Sequence, residues 1–106
     1  AVVGLSDDRF RPVYGVSRYL KSQGFRIIPV NPLVESALGE PAYPNLKSVP
    51  EPIDFADVFR RPEFIPEVVE DAIAAGVPAI WLQDGIIHVA AARRAEEAGL
   101  DVIMDT

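Results

Sequence analysis

AVVGLSDDRFRPVYGVSRYLKSQGFRIIPVNP, residues 1–32, holds a complete strand–helix–strand unit. Its first five residues form an apolar run closed by a polar turn, the pattern of a parallel strand buried on both faces. Pro12 suits the first turn of a helix reaching to about residue 23. Val13, Val16 and Leu20 lie on one face of that helix, Lys21 favours its C-terminal end and Gly24 stops it. Residues 25–30 read as a second strand, with Pro29 tolerable near its end.

The rest of the chain repeats the alternation after an interruption. Pro32, Pro41, Pro44, Pro50 and Pro52 exclude a regular crossover helix from residues 31–52. A short helical turn at 45–49, capped by Asn45, is expected there instead. A third strand follows at 53–59. Pro66 starts a helix at 66–75 and leaves 62–65 as a separate turn. This helix turns Ile65, Val68, Val69, Ala72 and Ile73 inward and Glu67, Glu70 and Asp71 outward, and Gly76 ends it. A fourth strand at 79–83, an Ala-rich helix at 89–98 stopped by Gly99, and a fifth strand at 101–104 complete the chain. Such alternation implies an α/β, Rossmann-like fold: a five-stranded, mainly parallel sheet with helices on both faces. The expected strand order is 3-2-1-4-5. That order puts the third strand on an edge, where Asp57 faces water, and Trp81 on an interior strand, in the core.

At 106 residues the chain is one domain, residues 1–106. It opens in a strand without Met and ends without a C-terminal helix, as the core of a somewhat longer protein would. There is no cysteine, which excludes thiolate catalysis, disulfides and Cys-based zinc sites. A single histidine, His88, near a helix N-terminus, reads as a surface residue and makes no relay or metal pair. The longest apolar run, residues 73–82, contains Gly76 and Pro78 and is too short for a bilayer. A cytoplasmic protein with no membrane partner is expected.

A net charge of −6 argues against a nucleic-acid partner. The charge is unevenly spread, however. Arg9, Arg11, Arg18, Lys21 and Arg26 fall in a stretch, residues 9–34, that has no acidic residue. A small polyanion is attracted to such a region even on an acidic protein.

Open parallel sheets bind ligands beyond the carboxyl ends of their strands. Here those ends lead to Gly4-Leu5-Ser6, then Asn31-Pro32, Arg60-Arg61 and Gln83–Gly85. A glycine after the first strand lets backbone approach a phosphate, and the following helix offers N–H donors and a positive dipole. The dinucleotide fingerprint is not met: Ser6 replaces its second glycine, and Val30-Asn31-Pro32 lacks the acid that grips an adenosine ribose. A plain tight turn fits Gly4–Ser6 equally well, and Asn31 reads equally as a turn former. Asp7, Asp8 and Asp57 suggest a phosphorylatable receiver domain. Its lysine after the last strand and its Ser or Thr after the fourth are absent, since Asp105-Thr106 and Gln83 stand there.

Val3-Gly4-Leu5-Ser6, Arg11-Pro12-Val13-Tyr14-Gly15-Val16, Pro29-Val30-Asn31-Pro32, Asp57-Val58-Phe59-Arg60-Arg61-Pro62 and Trp81-Leu82-Gln83-Asp84-Gly85 occur in that order along nearly the whole chain. Together they resemble the small CoA-binding-domain proteins, stand-alone relatives of the CoA-binding domain of the succinyl-CoA synthetase α subunit. The resemblance implies coenzyme A or an acyl-CoA as ligand. The synthetase's phosphohistidine and catalytic domains have no counterpart here. With no cysteine, no histidine pair and no Ser–His–acid or paired-carboxylate motif placed for chemistry, no catalytic activity is expected of this chain. The resemblance further implies that Gly4, Leu5, Ser6, Tyr14 and Gly15 take phosphates. Val30, Asn31, Pro32, Phe59, Arg60 and Arg61 would flank the nucleotide, with Gln83 and Gly85 further along. Neighbours in an extended segment point opposite ways, so one of Arg60 and Arg61 is expected to face the ligand. Two departures bear on affinity: Val13 stands where relatives often carry serine, so a hydroxyl to phosphate is lost, and Asp84 adds an acid near the pocket. An NAD(P)-binding dehydrogenase-type domain and a ligand-free interaction domain are the alternatives.

Overall fold

The computed structural model describes residues 1–82 and 88–104. In chain order its elements are β1 (Val2–Val3), α1 (Pro12–Ser22), β2 (Pro29–Val30), β3 (Ser36–Ala37), β4 (Glu40–Pro41), β5 (Ala56–Val58), α2 (Ile65–Ala75), β6 (Ala79–Leu82), α3 (Val89–Glu97) and β7 (Asp101–Met104). The main sheet has five strands in the order β2-β1-β5-β6-β7, with every pairing parallel. The fold is Rossmann-like. Among the described residues no helix is long and apolar enough to cross a membrane.

The strand order corrects the expected one. Counted along the main sheet it is 2-1-3-4-5, not 3-2-1-4-5, because β5 crosses to the far side of β1 and pairs Val3 with Val58. Two sequence features favour this solution. Pro29 has no N–H to give a ladder, and the observed order leaves its strand on the edge, where that loss is tolerated. All of β5 is buried, which an edge strand does not permit. Asp57 is consequently interior and 2 % exposed, not water-facing.

Helices cover both faces. On one face Val13 of α1 packs with Val2, Leu5, Ile27 and Ala37. On the opposite face α2 and α3 cover Val3, Val30, Ala56, Val58, Ile80 and Leu82. The inward face of α1 differs from expectation: Val16 is exposed, while Ser17 is fully buried, its hydroxyl without a hydrogen-bond partner among the described residues. Steps of four and three residues align Val13, Ser17 and Leu20, which leaves Val16 to one side. Trp81 is likewise not a core residue. Alternation along β6 sends Ile80 and Leu82 under α2 and α3, and Trp81 emerges on the other face, 38 % exposed beside its register partner Ile103 at 53 %.

The proline-rich segment contains a hairpin that sequence periodicity does not reveal, β3 paired antiparallel with β4. Its two turn residues, Leu38 and Gly39, both have positive φ, 51° and 76°, as a two-residue hairpin of matching twist requires. Asp7 accepts from the Leu38 amide at 2.8 Å, and Lys21 bonds the Leu38 carbonyl, so hairpin, β1 exit and α1 are tied together. Asn45 caps a 3-10 turn at Leu46–Ser48, accepting from the Ser48 amide at 2.9 Å. A second 3-10 turn, Pro62–Phe64, leads into α2, and Gly76 closes that helix in the left-handed conformation. His88 is the N-cap of α3, its Nδ1 accepting from the Ala91 amide at 3.1 Å.

Candidate functional site

Three strand exits are locked together at the carboxyl edge. Gly4 donates its N–H to the Val30 carbonyl at 2.8 Å, and Phe59 donates to the Val3 carbonyl at 2.9 Å. At φ +98° the glycine passes so near the β5 exit that a Cβ would lie 2.5 Å from the Phe59 oxygen. Glycine is required here by conformation and by space. Asn31, buried, joins the first two exits: its Nδ2 donates to the Leu5 carbonyl at 3.3 Å and its Oδ1 accepts from the Leu33 amide at 2.9 Å. Its backbone N–H goes to the Tyr43 carbonyl at 2.8 Å. Asn31 therefore spends its side chain on shaping the loops.

Two adjoining cavities open on this edge. One, of about 330 Å³, is lined by Gly4, Ser6, Asp8, Arg11, Asn31, Leu33, Val34, Phe59 and Arg60. The other, of about 240 Å³, is lined by Val3, Val30, Pro32, Pro44, Asn45, Leu46, Arg60, Phe64, Glu67, Val68 and Asp71. Arg60 belongs to both, half-buried, with its guanidinium carbon 4.2 Å from the centre of the Phe64 ring. That stacking holds a cation at the junction without neutralising it.

The larger cavity is equipped for an anion. Ser6 Oγ accepts from the Asp8 amide at 3.3 Å, which leaves the hydroxyl proton to donate elsewhere. The N-terminus of α1 has Pro12 in its first turn, no side-chain cap and no acidic residue to offset its dipole. Arg11 meets Asp8 at 3.6 Å, but both side chains are exposed and such a pair is weak.

The residues singled out in the sequence fall into five groups. Gly4, Ser6, Asn31, Phe59 and Arg60 meet at the larger cavity, and Val30, Pro32 and Arg60 at the smaller. Tyr14 and Gly15 line a separate groove with Arg9 and Arg18. Leu5 is fully buried and offers only its backbone, and Arg61 is exposed and lines neither cavity. Gln83 and Gly85, like Asp84, lie outside the described residues. Val13, where relatives often carry serine, is a core residue, 3 % exposed.

Sequence reading missed the wall of the smaller cavity formed by Pro44, Leu46, Phe64, Glu67 and Asp71. Glu67 and Asp71 stand four apart on a helix beginning beside a strand's carboxyl end, a spacing that marks one shared face. Asp71 is half-buried and paired with Lys47 at 3.5 Å.

The model of a family described as "CoA binding domain" matches residues 1–106. Over 105 residues the chain is 43 % identical to the uncharacterized protein YneT of Bacillus subtilis (strain 168), covering 99 % of this chain and 78 % of the relative. A hypothetical protein from Pyrococcus horikoshii OT3 superposes with a TM-score of 0.96 at 35 % identity, covering 98 % of this chain and 73 % of that one. A 79-residue stretch is 30 % identical to acetate–CoA ligase (ADP-forming) II of Archaeoglobus fulgidus, covering 73 % of this chain but 12 % of the ligase.

Proposed function

The chain belongs to the CoA-binding domain family, and from that premise we propose that it binds coenzyme A or an acyl-CoA and performs no chemical step of its own. The ligand lies across the carboxyl ends of β1, β2 and β5. Its diphosphate rests against the Gly4–Ser6 backbone and the Ser6 hydroxyl, at the open N-terminus of α1. Arg60 neutralises a phosphate, Asn31 keeps the two loops in register, and Gln83 and Gly85 meet the ligand further along. Tyr14, Gly15 and Arg18 of α1, with Arg9 before it, extend the basic surface.

One observation carries this reading: Arg60, half-buried and stacked on Phe64, is shared by two cavities of unlike character. A ligand with a charged middle and an uncharged ring suits that pair of spaces. Absence of turnover rests on the residues available: no cysteine, and a single histidine whose Nδ1 is engaged in capping α3. Acyl-CoA hydrolysis that survives purification and is lost on mutation of cavity residues would contradict it.

A thermal-shift panel of CoA, dephospho-CoA, acetyl-CoA, NAD and ADP tests the ligand class. At 100 times its dissociation constant a ligand stabilises the fold by about 2.7 kcal/mol, a readily measured shift. CoA should give the largest rise. A shift with NAD and none with CoA would favour the dehydrogenase-type alternative, and no shift with any ligand would favour the interaction domain.

A further inference from the structure

The loop from Ser6 to Arg11 joins β1 to α1 and lends Ser6, Asp8 and Arg11 to the larger cavity. Most of its polar contacts are internal. Asp8 accepts from the Phe10 amide at 3.1 Å and meets Arg11, and the Asp8 amide donates to Ser6 Oγ. Among the described residues one side-chain bond ties the loop to a distant part of the chain: Asp7 Oδ1 accepts from the Leu38 amide at 2.8 Å. The receiving end is firmly held. Leu38 has φ 51°, which a leucine rarely adopts and keeps only where its surroundings over-determine it. Here Asp7 takes its amide, Lys21 donates to its carbonyl, and its half-buried side chain packs against the cluster that includes Leu5 and Val13. Lys21 is held in turn by Glu40 at 3.4 Å, and Glu40 by Arg26 at 2.8 Å. The charge of Asp7 opposes a phosphate ligand nearby, so any affinity it adds comes from the bond to Leu38.

Resting on the CoA reading above, we propose that Asp7 is a positioning residue for the ligand's diphosphate. It lines neither cavity; it fixes the Ser6–Arg11 loop to the hairpin tip, so that the Ser6 hydroxyl meets the phosphates already in place. A loop ordered beforehand does not lose its conformational freedom at the moment of binding, and the ligand is held more tightly for it. The β3–β4 hairpin, none of whose residues lines either cavity, thereby becomes a support of the binding site.

Calorimetric titration with CoA of the wild type, Asp7→Asn, Asp7→Ser and Asp7→Ala tests this. All three variants lack the charge, but only asparagine keeps an oxygen at the reach of Oδ1, so comparing them removes the electrostatic contribution. Asp7→Ser and Asp7→Ala should bind CoA about 3- to 10-fold more weakly than Asp7→Asn, the worth of one net hydrogen bond. The factor should be the same with dephospho-CoA, which keeps the diphosphate. Amide hydrogen exchange of the ligand-free proteins gives a second readout. The Phe10 and Arg11 amides, bonded within the loop, should exchange faster in Asp7→Ala than in Asp7→Asn. Equal CoA affinity in the three variants, or equal exchange at Phe10 and Arg11, overturns the assignment and leaves the CoA reading standing. No CoA binding by the wild type overturns both. Asp7 is exposed, so the variants should fold, and their ligand-free melting temperatures check that they do. Serine and alanine remove the acceptor independently, so either one suffices for the comparison.

Discussion

Gly4 faces the Phe59 carbonyl at a distance that leaves no room for a side chain: a Cβ would stand 2.5 Å from the oxygen. The obstacle is backbone, which cannot swing aside as a flexible side chain would. Gly4→Ala should therefore destabilise the domain by about 2–4 kcal/mol, combining left-handed strain with displacement of the β5 exit. A urea midpoint within error of the wild type would show that the strand exits are not locked as described.

Gly15 gives the opposite expectation. It lies inside α1, and a Cβ there meets nothing within 4 Å. Gly15→Ala should raise stability by about 0.5–1 kcal/mol, since a helical glycine costs that much relative to alanine. If Gly15 also lines the ligand path, the same variant should bind CoA more weakly while melting higher. Thermal melts with and without CoA separate the two effects.

Arg60 and Arg61 should differ sharply. Arg60→Ala should cost about 1.5–3 kcal/mol of CoA affinity, roughly 10- to 150-fold, while Arg61→Ala does little. A guanidinium reading the 3′-phosphate would show a smaller loss with dephospho-CoA. Titration of both variants against both ligands checks this, and equal affinity in all four combinations returns Arg60 to the solvated surface.

Asn31→Ala removes the bond to the Leu5 carbonyl and the acceptor for the Leu33 amide. The expected loss is about 1–3 kcal/mol of stability, because buried polar groups are left unpaired. Ligand affinity should fall too, as the loops after β1 and β2 lose their common brace. Chemical denaturation and a CoA titration of the same variant measure both.

Acid should loosen the hairpin. Arg26 hydrogen-bonds Glu40 at 2.8 Å and Glu51 at 3.1 Å, which holds both carboxyls below their ordinary value of 4.5. A depressed carboxyl contributes stability that is present above its unfolded pKa and lost as pH falls through the folded one. The contribution should thus be intact at neutral pH and fade below about pH 4.5. In Arg26→Gln the difference in melting temperature from wild type should shrink over that window; a constant difference would contradict the linkage.

Much of this arrangement was legible from local pattern. Helix stops at Gly24, Gly76 and Gly99, the Asn45 cap and the turn before Pro66 are local events, each decided by a few neighbouring residues. Strand order is not local. Reading β5 as an edge ignored that Pro29 suits an edge better than Asp57 does, a comparison between residues far apart in sequence. The β3–β4 hairpin was missed because two-residue strands carry no periodicity and Leu38, an unusual residue at positive φ, hides the turn. Trp81 was misplaced because composition suggests burial while the pleat decides the face. At the site, glycines and arginines at strand ends were visible, but Glu67 read as a solvent-facing helix residue. Only packing of α2 against the strand ends shows that its solvent is a cavity.

The most direct test of the central claim is equilibrium binding of CoA to the purified wild-type domain, with NAD as competitor. Saturable uptake of one CoA per chain, undiminished by excess NAD, is the expected result. No saturable uptake, or displacement of CoA by NAD at comparable concentration, would contradict it.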